Sequence, residues 1–578
     1  MAVPSRKKIA LLDKVVELSL GPADDAEAFE KWIAQSDSLK YLANSWNDEK
    51  VAIYASIDHV LLHAVLTPKA EITDDSKECL LDWSSNAFST WGVMQSSGPP
   101  AKIEIVGPMA SCGSAYEHSE QLVYLRTFEG RDEGASYAEL LQKFVHLFGL
   151  HFLPERNSYC RLDKHGDIED VVSIHKLTEE LHGTGGTVVL CDAQVLFDYA
   201  TLGDCAIVRM FDLTRFRRGS FHGWGDGRKT EEIARGHLIG SLTVQPGTGS
   251  YLRGVQFFMP AGTKESVVKR FWRSDESEKE YATFIAHDRK NNKISVISCD
   301  PNALANYFTK SDLPFEISPA FFRPEVLLKY KANTERYKLK ERSIECRGAW
   351  HLKTYDINAA GQVHTYLRYL SDLPYEEQLY WKSFNVDPRD SISKRAFRTD
   401  IEGDFYLEET PLAEVKKRLR KWKEVKSPWW KQRGTEKEIH LPATESKDEW
   451  ADELLHLDQL VIEGFVTDWL RKVASTGVTK IDTNTPSLTL LEHCLVVAGL
   501  EEAEARAAIT PLKTLRHHRN KLKGHASGQD AIQLQKDALK TYGSYRDHFE
   551  MLCASISDSL NRIDDAFLKI GSAFNSTT

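Results

Sequence analysis

The chain lacks any apolar run long enough to cross a bilayer as a helix. A spanning helix needs ~18 such residues, and the longest candidate, 488–500, is interrupted by Glu492 and His493. No membrane partner is therefore expected. A secretory leader is missing too: the opening Met-Ala-Val-Pro-Ser-Arg-Lys-Lys is basic, but Asp13 and Lys14 break the segment that should follow. The nine cysteines are scattered and form no C-x-x-C pair. That excludes a zinc ribbon or a disulfide framework and points to reduced thiols in a cytoplasmic protein. The P-loop spacing fails, because Arg228 stands where a lysine should follow Gly227. No G-x-S-x-G and no dinucleotide-binding glycine fingerprint occurs. His59 and His63 lack the intervening glutamate of H-E-x-x-H and sit in a strand-like segment. No metal site and no cofactor are expected. Positive charge is not in excess either: the formal charge is −10 and the pI about 6.1. Any nucleic-acid surface must then be a local patch.

What is present is 578 residues, 42% hydrophobic and 27% charged, with no internal repeat. At ~100–200 residues per domain this is roughly three or four domains. Residues 1–45 read as weakly helical. From Val51 the pattern turns to β-branched runs: 51–57, 59–66, 102–106, 121–127, 168–174, 187–191, 205–210, 251–259, 282–287 and 293–297. Apolar residues at helical spacing predict a helix over 136–150. Turn signals at Gly183-Thr-Gly-Gly, Pro246-Gly-Thr-Gly and Asn291-Asn separate the strands, and the basic glycine-rich segment 215–230 reads as a surface loop. Residues 1–320 are thus an α+β region with no regular βαβ period, a candidate sensor or regulatory part.

Residues 321–447 form an aromatic-rich α+β segment. A β-ribbon is expected over 350–369 around Gly361, a helix over 375–384, a basic helix over 412–425 and a linker over 434–449. The run from Lys416 to Arg433 contains Trp422, Trp429 and Trp430, so Lys416 and Arg420 are candidate RNA contacts through phosphate and stacking. The preferred reading is plainer, a solvated helix face with its tryptophans packed on the core.

From about residue 448 the pattern is purely helical. Leu457, Val461, Phe465 and Trp469 recur four apart, and Pro486 and Pro511 each follow a threonine, as at helix starts. Phe549, Leu552, Ile556, Leu560, Ile563, Phe567, Ile570 and Phe574 make a narrow seam suited to helix packing or to a partner subunit. Residues 448–578 read as a four- or five-helix bundle.

One stretch of that bundle concentrates chemistry: Thr510-Pro-Leu-Lys-Thr-Leu-Arg-His-His-Arg-Asn-Lys-Leu-Lys-Gly-His525. The Arg519…His525 spacing alone decides little, since Arg217/His222 and Arg433/His440 are similarly spaced. Only Arg519 is followed by Asn and lies on a helix of an all-α domain. On that helix Leu512, Leu515, Arg519 and Leu522 share one stripe, and a guanidinium there is costly to bury unpaired. It should face an acidic or phosphate partner. On an unbroken helix His525 would lie roughly 120° away; Gly524 can end the helix and let it swing back.

These residues resemble the HEPN superfamily, small helical bundles whose ribonuclease members carry Arg-x(4–6)-His, often with Asn directly after the Arg. The resemblance covers residues 448–578 only. It implies a metal-independent endoribonuclease with a composite site across a homodimer or higher symmetric oligomer. His525 would be general acid/base towards the 2′-OH or the leaving 5′-oxygen. Arg519 would stabilise charge on the phosphorane, and Asn520 would fix the geometry. Arg516, His518, Lys521 and Lys523 are flanking candidates for RNA contact. Several proteins of this build are toxins or antiphage effectors held inactive until triggered, which implies an RNA substrate and a phage-derived or nucleic-acid trigger. The competing class is a non-catalytic protein whose bundle only dimerises or binds nucleotides or RNA, with function in the N-terminal region.

Overall fold

The computed structural model describes residues 15, 25–34, 49–58, 60–73, 78–83, 91–109, 114–128, 135–182, 184–216, 221–272, 279–306, 308, 310–404, 410–433, 439–477, 481–524 and 529–575. Gly183, residues 217–220, residues 434–438 and His525 lie outside the described residues, as do most of 1–45. Contacts divide the chain into two units: residues 1–163 with 168–278, and residues 164–167 with 279–578. The architecture is α+β, strand-rich in its N-terminal region and helical over its C-terminal part.

The first unit is built on one antiparallel sheet. Its order is Lys229–Arg235, Leu238–Gln245, Gly249–Phe258, Cys205–Phe216, Val60–Pro68, Lys50–Ile57, Gly186–Asp192, Ile168–Leu177, Ser158–Leu162 and His151–Leu153, with Glu120–Gln121 added beside Val60–Pro68. The β-branched runs become its central strands because both of their faces are covered. One face packs Val51, Ile53, Val172 and Val189 under Phe144, Leu196 and Tyr199. The other packs Ala52, Leu62, Phe211 and Leu252. The edge strand Lys229–Arg235 is instead exposed except at Ile233 and carries Lys229, Glu231, Glu232 and Arg235, a pattern that discourages further strand pairing. Gly240 and Gly254 face each other across one pair, where a Cβ on either would collide with the opposite backbone.

The helix expected over 136–150 is a correction. Ala135–Leu140 is a strand paired with Val123–Phe128, and only Gln142–Leu147 is helical. Ala138 and Leu140 are buried while Tyr137 is exposed, so a period of two won over the helical period.

In the second unit a sheet runs Lys293–Ser298, Thr283–Asp288, Pro319–Phe322, Val363–Tyr366 and Asp356–Ile357, with Asn385–Val386 added to Pro319–Phe322. The position 320 taken from sequence as a boundary falls inside its fully buried strand Pro319–Phe322. The expected ribbon over 350–369 is split. Asp356–Ile357 and Val363–Tyr366 pair around Gly361, but Trp350–Leu352 pairs with Ile344–Cys346 in a separate three-stranded sheet. Tyr375–Ser383 is helical as expected.

Among the described residues, seven helices carry the C-terminal core: α1 (Pro411–Glu424), α2 (Lys447–Val461), α3 (Thr467–Ala474), α4 (Ser487–Val497), α5 (Glu502–Arg519), α6 (Gln529–Tyr542) and α7 (Tyr545–Asn575). The count exceeds the four or five expected, partly because the basic helix α1 packs on α7 as a full member. Its Trp422 is buried, donates Nε1–H to Asp564 Oδ1 at 2.7 Å, and touches Trp429 and Trp430. All three tryptophans are buried and offer no face to a base. The seam of α7 from Phe549 to Phe567 is spent on this same core. Residues 439–446 are no loose linker: Ile439 is buried, and the amides of His440, Ala443 and Thr444 donate to Glu453 and Glu449 of α2.

Candidate active site

α5 opens at a reciprocal capping box, Glu501 with Glu504, and not at Pro511. The Ala-rich segment 503–508 is strongly helix-forming, so Pro511 lies inside the helix and Ala507 loses its i+4 donor. Thr510 Oγ1 bonds back to Arg506 O at 2.8 Å. Pro486 likewise precedes its helix as the cap instead of being its first residue.

Leu512, Leu515 and Leu522 are buried, as the stripe requires. Arg519 on the same stripe is half-buried, and of the acidic or phosphate partner expected the structure supplies an acid, Asp458 of α2, fully buried. Arg516 Nε lies 2.7 Å from Asp458 Oδ1, and Arg519 Nε lies 3.9 Å from Asp458 Oδ2. Arg519 Nη2 is 3.8 Å from Glu463 Oε1, and Arg519 Nη1 donates to Asn520 Oδ1 at 3.0 Å. Neither Arg519 Nε nor Asp458 Oδ2 makes a hydrogen bond, although both are buried. Arg519 is thus held by charge and by one short bond to Asn520, with donors of its fork unspent. Burial pushes the Asp458 carboxyl up, while Arg516 and Arg519 pull it down by less.

Immediately after Arg519 the backbone widens into a π-helical turn, Asn520–Gly524, one of two such turns among the described residues. π-Turns are frequent at functional sites. This one delivers the chain to His525, which lies outside the described residues, so no geometry for it enters the site.

The other expected RNA contacts divide. Arg516 is committed to Asp458. Lys521 pairs with Asp530, and Lys523 with Asp452 at 2.5 Å. His518 packs its ring 5.2 Å from His548 of α7, and His548 Nδ1 accepts from Trp450 Nε1 at 3.2 Å. Burial lowers both imidazoles to about 4, with a smaller push from His517 on His518 and from His518 on His548. His518 is therefore a neutral packing group at neutral pH. Lys416 and Arg420 line a different cleft.

Asp458, Glu463 and His548 escaped the sequence reading. For Asp458 a signal existed: it sits among Leu457, Leu460 and Val461, an acid on an apolar stripe, the mirror image of Arg519.

Among the described residues, no helix is long and apolar enough to cross a membrane, and no group of three or more His, Cys, Asp or Glu side chains is placed to hold a metal ion. No protein-family model, curated protein or solved structure matches the chain.

Proposed function

We propose that the helical part of this protein is a HEPN-type endoribonuclease that cuts RNA without a metal ion, using Arg519, Asn520 and His525. The observation that carries the reading is the state of Arg519: half-buried, steered by Asp458 and Glu463, bonded to Asn520, and still holding unspent donors. A guanidinium fixed in direction but not saturated suits a phosphoryl group that arrives with the substrate and gains charge in the transition state. Glu463 is partly exposed and only loosely paired, so an incoming phosphate can displace it. His525 then exchanges the proton of the 2′-OH or of the leaving oxygen, which restricts cleavage to RNA. The site works as a pair across a homodimer, in an antiphage or toxin effector that the strand-rich N-terminal region restrains until a phage-derived or nucleic-acid trigger arrives. This regulatory role rests on the family likeness.

The test is RNA cleavage with a chelator present and growth arrest on expression, the trigger supplied by phage infection. Arg519→Ala and His525→Ala should each lower cleavage by at least ~100-fold. Equal cutting by the double variant, or intact RNA in infected cells that express the wild type, overturns the proposal. The non-catalytic reading has one observation in its favour: Arg519 already faces two carboxylates.

A further inference from the structure

The antiparallel sheet of the first unit carries a cavity of about 460 Å³ on one face. Strand alternation decides which side chains line it. Tyr54 stands across from His63, Ser56 from Leu61, and Leu61 in turn from Asp212. These side chains and that of Thr214 share one face, while Ala55, Leu62, Phe211 and Leu213 point to the core on the other. Val123 and Leu125, from the strand paired with Ala135–Leu140, complete the wall.

The middle of the sheet thus sets hydroxyls, an imidazole and a carboxylate on three adjacent strands around one hollow. Polar groups are costly to bury unless they are bonded, and Asp212 is poorly provided for. It is half-buried, and among the described residues it accepts one hydrogen bond, from Thr214 Oγ1 at a long 3.3 Å. Arg253 is its neighbour in the strand pairing. The guanidinium lies over the Trp83 ring, 4.5 Å from its centroid, and donates to the Trp83 carbonyl. Arg253 therefore reaches Asp212 only through space. Burial raises the Asp212 carboxyl, and Arg253 and Thr214 pull it down by less.

The rest of the lining adds no positive charge. Desolvation pushes the buried His63 imidazole down to about 3, so it is neutral at neutral pH. Asp58, the second carboxylate, accepts from Thr184 Oγ1 at 2.5 Å. Among the described residues, no lysine or arginine lines the cavity.

We propose that this cavity binds a small organic cation, an alkylamine or alkylguanidine, its charged end on Asp212 and its aliphatic chain against Leu61 and Leu125. A half-buried carboxylate short of donors is completed by a charged N–H group that arrives with the ligand. Ser56 and Thr214 offer hydroxyl oxygens for the remaining N–H bonds. The volume falls within the ~300–1,000 Å³ of small-ligand pockets. An anion is the poorer fit, since it would meet two carboxylates. The proposal is independent of cleavage at Arg519.

The experiment is calorimetric titration of the full-length protein with n-pentylamine, with agmatine, with n-pentanol and with pentanoate. At least one of the two cations should bind saturably, one per chain, with affinity falling as salt rises. The alcohol and the carboxylate should bind at least about tenfold more weakly. Asp212→Asn, which keeps the shape and removes the charge, should weaken cation binding by at least about tenfold. Leu125→Lys, which sets a cation in another wall, should do the same and guards against a folding defect around Asp212. Glu231→Gln/Glu232→Gln, which removes two exposed carboxylates from the edge of the same sheet, should leave binding unchanged. Absence of saturable binding by either cation overturns the proposal. So do equal losses in the edge-strand variant, full binding by Asp212→Asn, or pentanol binding as tightly as both cations.

Discussion

Arg516 Nε lies 2.7 Å from Oδ1 of Asp458, a carboxylate with no exposure to solvent. Two helices far apart in the chain are joined there by one charge pair at the base of the candidate site. Because the arginine keeps about a third of its surface in water while the aspartate keeps none, the two partners are not equivalent.

Arg516→Ala should therefore destabilise more than Asp458→Asn. Removing the arginine leaves a buried carboxylate with only Arg519 at 3.9 Å. Loss of one partner of a fully buried pair costs ~3–5 kcal/mol; partial exposure of the guanidinium lowers the expectation to about 2 kcal/mol. Denaturant midpoints of the two variants decide it, and a larger loss in Asp458→Asn would refute the ranking.

Arg519→Lys should fail to restore cleavage. An ammonium keeps the charge but not the planar fork that reaches Asn520 and a phosphate together. Activity near that of the wild type would show that charge alone suffices at this position. Circular dichroism of the variant separates a lost fold from a lost group.

Stability should fall as the solution is acidified from about pH 6.5 to about pH 4. His518 and His548 both titrate near 4 in the fold, against an ordinary value of 6.5. The unfolded chain therefore takes up protons first. The stability held above pH 6.5 is lost as pH drops through this window, by up to about 1.4 kcal/mol per pH unit for each ring. Trp450, Tyr542 and His517 are the rings packed against the pair, and Tyr545 stacks on Trp450 behind it. In His548→Phe the midpoint-against-pH curve should be flatter than in the wild type; superimposable curves would rule the pair out as its source.

Gly464→Ala should unsettle the turn that presents Glu463 to Arg519. A Cβ at Gly464 would overlap the indole of Trp430, whose Nε1–H donates to Val461 O at 3.2 Å. Overpacking of this kind costs ~1–3 kcal/mol. A melting temperature equal to that of the wild type would mean that the indole moves aside freely.

Much of the local structure was legible in the residues. The β-branched runs at 51–57, 168–174, 187–191 and 293–297 are strands because such side chains pack well on a pleated, buried surface. Gly499, at φ +97°, ends α4 where the pattern stopped. The need of Arg519 for an acidic or phosphate partner also followed from its stripe alone.

The partner itself did not. Asp458 lies 58 residues before Arg516, and nothing local states which acid will meet which base. The strand at 135–140 beat a helical pattern only because Val123–Phe128 was there to pair with it. Pro511 reads as a helix start in isolation and became a helix interior once the capping box and alanines upstream were folded against the core. The cleft of the second unit is lined by residues spread from Leu327 to Arg546, of which only Lys416 and Arg420 stood out in the sequence. Periodicity and propensity are properties of a segment, and the sequence carries them directly. Charge pairing, strand pairing and concavity are properties of two or more distant segments, and only the tertiary structure brings those together.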